Sequence, residues 1–170
     1  MLQIAGIVRE SIVDGPGFRF VVFTQGCSHR CPGCHNPHTH AFDGGTAVSV
    51  ESLLEQMAKN PLLDGLTLSG GEPFEQAGEC ACLAVKAHEA GLNVMTYTGY
   101  TFEVLQNSGN SGWKSLLEST DILVDGRFEL DKKNMLLKFR GSENQRIIDV
   151  KKSLKAGTAI AAEIQDGLRP

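Results

Sequence analysis

A chain of 170 residues with 41% hydrophobic and 21% charged residues has the ordinary composition of one globular α/β-sized domain, here expected to span residues 1–170. A net charge of −4 and a pI near 5.7 give no electrostatic footprint for nucleic acid, and the basic pairs Lys132–Lys133 and Lys151–Lys152 read as solvated face. Arg9, Glu10, Asp14 and Arg19 interrupt the early apolar runs, and no run nears the ~20 residues that cross a bilayer, so a cytoplasmic protein with no membrane partner is expected.

In chain order, Phe18 to Gln25 (FRFVVFTQ) is apolar on both faces and predicts a buried strand, and the loop GCSHRCPGCHNPHTH at 26–40 begins where it ends. Ser49 is a cap for a helix over 50–59, with Glu51 in its first turn and Pro61 just beyond. Leu66 to Ser69 predicts the next strand, followed by SGGEP at 69–73 and a helix from Glu75 to Ala90 that stops at Gly91. Leu92 to Tyr97 is a third strand leading into TYTGY at 96–100, and Thr101 starts a short helix. NSGNSG at 107–112 is a loop by composition; Ile122 to Asp125 is a fourth strand, leading into DGRFE at 125–129, and Arg146 to Val150 a further one.

Strands alternating with helix-period segments indicate βαβ units, and in such folds ligands bind outside the carboxyl ends of the strands. Each conspicuous motif lies at such an end. A closed eight-stranded barrel takes ~250 residues, so this length predicts an open partial (β/α) barrel of about four to six mainly parallel strands.

Three of the five cysteines, Cys27, Cys31 and Cys34, fall in the spacing C-x3-C-x2-C, with Pro32 and Gly33 turning the chain. An odd, clustered set in an intracellular chain argues for metal or redox chemistry rather than a disulfide framework. Three thiolates leave a four-coordinate ion one ligand short. Either His38 or His40 completes a zinc site, or an iron–sulfur cube keeps one iron open for substrate or cofactor. In SGGEP, successive glycines allow backbone carbonyls to approach a ligand, Glu72 offers a carboxylate and Pro73 fixes the exit; a cationic amino group suits such a place, as does a plain tight turn.

CSHRCPGC, SGGEP and their order resemble the radical S-adenosylmethionine enzymes, and DGPGFRF at 14–20 with CHN at 34–36 is similar to the glycyl-radical-enzyme activases. TLSGGEPFEQ, TYTGYTFE, DILVDGRFE and FRGSENQRIIDV resemble the activating proteins of anaerobic ribonucleoside-triphosphate reductases, over about residues 5–155. The resemblance implies a radical enzyme in which Cys27, Cys31 and Cys34 hold a [4Fe-4S] cluster and the fourth iron chelates the amino and carboxylate groups of S-adenosyl-L-methionine. Gly70, Gly71 and Glu72 would hold the amino group. One-electron cleavage of the sulfonium then yields a 5′-deoxyadenosyl radical that takes hydrogen from a glycine Cα of the reductase, with a flavodoxin or ferredoxin as electron donor. No general acid or base is implied, since the hard chemistry belongs to the cofactors.

Other positions carry paired readings. Thr96, Tyr97 and Thr98 replace the acidic turn of pyruvate formate-lyase-type activases, and their hydroxyls suit ribose or carboxylate. Asp125 is either a ribose or cation contact or a turn residue, and His35 packs on cluster or adenine or ligates zinc. By the same resemblance Asp14 touches the partner's glycine loop; its plain role is a type II turn with Pro16 and Gly17. Cys80 lies on a helical stripe with Leu83, Ala84 and Ala87 and belongs in the core, with Cys82 more exposed. His88 reads as a helix C-terminal partner, and Trp113 as a packing anchor or partner contact. The rival functions are activation of another glycyl-radical enzyme, a small-molecule radical enzyme such as a deazaguanine synthase, and a zinc-bound binding module.

Overall fold

The structure, a computed structural model, describes residues 1–164; the last six residues of the expected domain lie outside them. Among the described residues seven strands form one open sheet: β1 (Leu2–Ser11), β2 (Arg19–Thr24), β3 (Thr46–Val48), β4 (Gly65–Gly70), β5 (Asn93–Tyr97), β6 (Ile122–Asp125) and β7 (Arg146–Asp149). Their spatial order is β3-β1-β2-β4-β5-β6-β7. The central strands β2, β4, β5 and β6 run parallel, and β1, β3 and β7 pair antiparallel at the edges. The open α/β barrel with a parallel centre is therefore the expected one, extended at one edge. β1 was not legible: its second half, Val8–Glu10, is exposed, and irregular pairing at Ile4/Gly6 and Val8/Ser11 breaks the period-2 pattern that marks a strand.

Among the described residues five α-helices cover one face: α1 (Val50–Ala58), α2 (Ala77–Glu89), α3 (Phe102–Gln106), α4 (Ser111–Glu118) and α5 (Val150–Ala156). Two starts carry the side-chain caps expected, Ser49 Oγ accepting from Ser52 N and Thr101 Oγ1 from Val104 N; Asp149 Oδ1, accepting from Lys152 N, opens α5, a helix not expected from the sequence after the strand at 146–150. The loop expected over 107–112 ends two residues early because Asn110 Oδ1 accepts from Trp113 N and opens α4. No helix among the described residues is long and apolar enough to cross a membrane.

Side-chain alternation sorts the strands into two faces. Phe20 and Val22, Leu66 and Leu68, Val94 and Leu123 point to the helices and form the main core with Leu53, Leu83, Phe102 and Leu116. Fully burying each such side chain contributes about 1.5–3 kcal/mol. The other face carries Arg19, Val21, Thr67, Ser69, Met95, Tyr97 and Val124. Arg19 is wholly buried there, although its strand reads as apolar on both faces.

The Arg19 guanidinium is held by neutral acceptors. Nε donates to Thr67 Oγ1 (2.9 Å), Nη1 to Asn93 Oδ1 (2.6 Å) and Pro16 O (3.2 Å), and Nη2 to Leu66 O (2.8 Å). Burial pulls its pKa down to about 10, only partly opposed by Tyr97, Asp64 and Asp121. A Cβ at Gly65 would collide with the guanidinium, which explains glycine at that strand start. Arg19 and Thr67, whose Oγ1 donates to Asp14 O (2.8 Å), pin the 14–17 loop onto the open face.

Candidate functional site

The cysteine loop begins at Gly26, whose φ of +99° ends β2 in a conformation that favours glycine. Its two ends are tied together: Gly26 N donates to Thr39 O (2.8 Å) and Cys27 N to His40 O (3.1 Å). Gln25 Nε2 clasps the far limb through His38 O (3.2 Å) and Ala41 O (2.6 Å). Within the loop, Cys34 N donates to Cys31 O (3.1 Å) around the Pro32–Gly33 turn, where Gly33 has φ +75°. Cys27 is buried and Cys31 and Cys34 are half-buried. Burial pushes the Cys27 and Cys31 thiols up.

All three cysteines line one cavity of about 100 Å³ together with His40, Gly70, Gly71, Tyr97 and Thr98. The thiols face common space without meeting at a single point: among the described residues no three His, Cys, Asp or Glu side chains could hold one metal ion. His38 is exposed and does not line the cavity, whereas His40 does. The His40 Nε2 atom is buried with no hydrogen-bond partner.

The SGGEP glycines are required by the chain itself. At Gly70, φ is +92° and a Cβ would lie 2.6 Å from the backbone of Phe23 and Thr24; at Gly71 it would strike Gly26 O. The end of β4 is thus pressed against the end of β2, with Gly71 N donating to Thr24 O (2.7 Å) and Glu72 N to Gly26 O (2.9 Å). Both glycines still line the cavity.

Glu72 is 1% exposed, and both carboxylate oxygens are engaged. Oε1 accepts from Phe74 N (3.0 Å), and Oε2 from Thr98 Oγ1 (3.0 Å) and Gly99 N (2.9 Å), with His29 Nε2 at 2.7 Å. One side chain thereby joins the cysteine loop, the end of β5 and the entry to α2. The carboxylate expected to meet the amino group of a ligand is occupied by protein donors.

A family model described as a 4Fe-4S single cluster domain matches residues 13–148. An anaerobic ribonucleoside-triphosphate reductase-activating protein from Vibrio cholerae is 36% identical over 146 residues, 80% of this chain and 90% of that one. The protein of the same name from Enterobacteria phage T4 is 35% identical over 144 residues, 79% of this chain and 86% of that one. The chain belongs to this family of activating proteins. Among solved structures, QueE from Escherichia coli matches with a TM-score of 0.48 and 18% identity over 73% of this chain and 69% of that one.

For a member of the activating-protein family, several expected cofactor residues sit elsewhere than the cavity. Thr96 and Tyr97 are neighbours and take opposite faces of β5: Tyr97 lines the cavity, while Thr96 is fully buried on the helix side, its Oγ1 2.9 Å from Thr120 Oγ1. Thr98 reaches the cavity but gives its hydroxyl to Glu72. Asp125 also faces the helices, 1% exposed, accepting from Phe102 N (2.8 Å) and Arg146 Nε (3.0 Å); it is absent from the cysteine cavity but lines a neighbouring one with Gly99, Gly126 and Arg146. His35 is exposed and packs against Phe128 at 5.1 Å between centroids, outside the cavity lining. Asp14 accepts from Ser11 Oγ (2.5 Å), and Gly17, with φ +75°, bends the chain while Phe18 N donates to Asp64 Oδ2 (2.9 Å) instead of closing a hydrogen-bonded type II turn.

His29 is the residue that sequence reasoning passed over. Its ring bridges Glu72 and Tyr100, edge-on to the latter at 4.5 Å, and fills the space where a Cβ on Gly99 would lie, 2.5 Å from His29 Cδ2. The only available signal was the coincidence of a histidine inside C-x3-C with a glutamate after the glycine pair. The remaining assignments agree with their plain readings. Cys80 is fully buried and Cys82 exposed, His88 pairs with Asp121 (2.7 Å), and Trp113 anchors α4 by donating Nε1 to Phe74 O (2.9 Å).

Proposed function

We propose that this protein is a radical S-adenosylmethionine activase that installs the glycyl radical of an anaerobic ribonucleoside-triphosphate reductase. The observation that carries the reading is the shared cavity. Three thiols of one C-x3-C-x2-C loop, the glycine pair ending β4 and the end of β5 meet at the carboxyl side of the parallel strands. Membership of the activating-protein family supplies the partner.

The donor set fits a [4Fe-4S] cluster. Three soft thiols face common space without converging on one ion, and the buried Nε2 of His40 beside them lacks a partner. Cys27, Cys31 and Cys34 would hold the cluster. The backbone of Gly70 and Gly71 and the side of Tyr97 that lines the cavity would bound the space next to it for S-adenosyl-L-methionine. A neighbouring cavity of about 610 Å³, which shares Gly99 and Gly126 with the first, offers room for a nucleoside. When bound, cluster and cofactor supply a one-electron cleavage of the sulfonium and abstraction of hydrogen from a glycine Cα.

The chain's own residues hold and shield. Gln25 and the paired loop ends fix the thiols; Glu72 fixes the glycine pair relative to His29 and Thr98; Phe128, which also lines the cavity, covers it from the segment after β6. Arg19 and Thr67 keep the Asp14–Gly17 loop on the open face, where the reductase's glycine loop would arrive. A cytoplasmic flavodoxin or ferredoxin would deliver the electron.

Anaerobic reconstitution tests the reading. About four iron and four sulfide per chain, with reductive release of methionine and 5′-deoxyadenosine from the cofactor, are expected, and stoichiometric zinc without colour would sink it. Mixing the reduced protein with the reductase should give the glycyl radical doublet by electron paramagnetic resonance. A doublet only on a pyruvate formate-lyase-type enzyme would reassign the partner. Cys34→Ser should leave a folded protein that retains no cluster.

A further inference from the structure

A buried imidazole nitrogen without a partner costs about 1–3 kcal/mol, so native structures keep few of them, and each calls for a partner, whether water, ion or ligand. His40 Nε2 is one of two such side-chain atoms among the described residues. The other, Asn144 Oδ1, is an acceptor beside the neighbouring cavity. His40 lines the cavity of the three cysteines, and its position is fixed through the backbone, because His40 O accepts from Cys27 N (3.1 Å) and His40 N donates to Pro37 O (3.3 Å). The ring is therefore carried by the same clasp that sets the first cysteine.

Two roles would use that nitrogen. As a fourth ligand it would complete a compact metal site with the cysteines. Ligation would close the one iron that three cysteines leave open, and the function proposed above needs that iron for the cofactor. As a donor it needs only an acceptor inside the cavity, and thiolate or sulfide sulfur is one. We propose that His40 Nε2–H donates a hydrogen bond to a sulfur of the cluster and thereby raises its reduction potential.

The physical reason is charge. One-electron reduction adds negative charge to the iron–sulfur group, and a fixed donor at its sulfur stabilises the reduced form more than the oxidised one. The other imidazole close to the cavity is already committed, since His29 Nε2 lies 2.7 Å from Glu72 Oε2. His40 is thus a positioning and tuning residue, not a ligand. The inference rests on the cluster reading above.

The test compares reconstituted wild type, His40→Phe and His40→Gln in anaerobic redox titrations followed by the electron paramagnetic resonance signal of the reduced cluster. His40→Phe should make reduction roughly tenfold less favourable, a shift of about 59 mV to lower potential for one electron. His40→Gln, which retains an N–H at similar reach, should restore most of the difference. Equal potentials in all three proteins, or equal shifts in both variants, would overturn the proposal. If His40→Phe fails to fold, pulsed resonance on unaltered protein carrying 15N-histidine decides. A weak nitrogen coupling that disappears in His40→Gln supports the hydrogen bond; a strong coupling makes His40 an iron ligand, and no coupling removes it from contact. A wild type that takes up no four-iron cluster would instead refute the parent reading.

Discussion

Two carboxylates stand at the carboxyl ends of neighbouring regions of the sheet, and the protein uses them in opposite ways. Glu72 follows β4, Asp125 ends β6, and each is 1% exposed. Glu72 faces three site loops and is held by a backbone N–H at Phe74, another at Gly99, a hydroxyl at Thr98 and the His29 ring. Asp125 faces the helices and is held by Phe102 N and by Arg146, which also forks onto Glu103. Where the carboxylate lies beside the cysteine cavity, its donors are short, rigid and buried or part-buried. Where it closes the edge between α3 and β7, its partner is a half-exposed guanidinium that keeps its solvent. The difference separates a tie that organises a site from a tie that seals an edge.

The sharpest way to break this contrast is Glu72→Ala. Four donors, those at Phe74 and Thr98 buried and those at Gly99 and His29 part-buried, lose their acceptor at once, and each unsatisfied buried donor costs about 1–3 kcal/mol, so a loss of several kcal/mol is expected. Urea unfolding of the cluster-free protein measures it. Iron uptake should fall as well, because the cysteine loop and the end of β5 are no longer registered. A loss under about 1 kcal/mol would mean that water replaces the carboxylate and that Glu72 ties nothing.

His29→Phe narrows the question to one strand of that tie. The ring can still meet Tyr100 edge-on, so the change isolates the hydrogen bond to a buried carboxylate, worth about 1.5–3 kcal/mol. Reconstituted protein should bind S-adenosylmethionine more weakly, with the cluster retained. Unchanged affinity by equilibrium binding would show that the coupling between the cysteine loop and Glu72 does not reach the cofactor.

The parallel strands, the helix caps and the placement of each motif at a strand end were legible because they rest on local chemistry: apolar runs, Ser49 and Thr101 at helix starts, glycines at turns. The face taken by each strand residue was not. A strand buried on both sides shows no polar alternation, so Thr96, Tyr97 and Asp125 looked equivalent until β5 and β6 were given their register. The role of His29 was hidden for another reason. Its partner is 43 positions away in sequence, and only the contact between the ends of β2 and β4 brings them together. The glycines of SGGEP were legible as necessary, but for a ligand, whereas the backbone of β2 already excludes a side chain there.

On the other side of the comparison, Asp125→Asn should cost about 1–2 kcal/mol in the same unfolding experiment, since Arg146, with 41% of its side chain exposed, recovers hydration and keeps Glu103. Iron content should not change. A loss as large as that of Glu72→Ala would erase the distinction between the two carboxylates.

The smallest effect belongs to Glu103, and its sign is fixed by pH. The Arg146 guanidinium holds the Glu103 carboxyl below the usual carboxylate range, while Asp125 and Glu103 together raise Arg146. A carboxyl whose folded pKa is depressed stabilises the fold above its unfolded value of about 4.3 and loses that contribution as pH falls through the folded value. With its side chain 51% exposed, solvent screening limits Glu103 to about 0.2–1 kcal/mol. Glu103→Gln should therefore lower stability slightly at neutral pH and in moderate salt, and the difference from wild type should shrink as the pH is taken below 4.3. High salt should shrink it as well. A gap that persists in acid would mean that Glu103 contributes through packing against Arg146 rather than through charge, and the edge at β7 would then be sealed by shape alone.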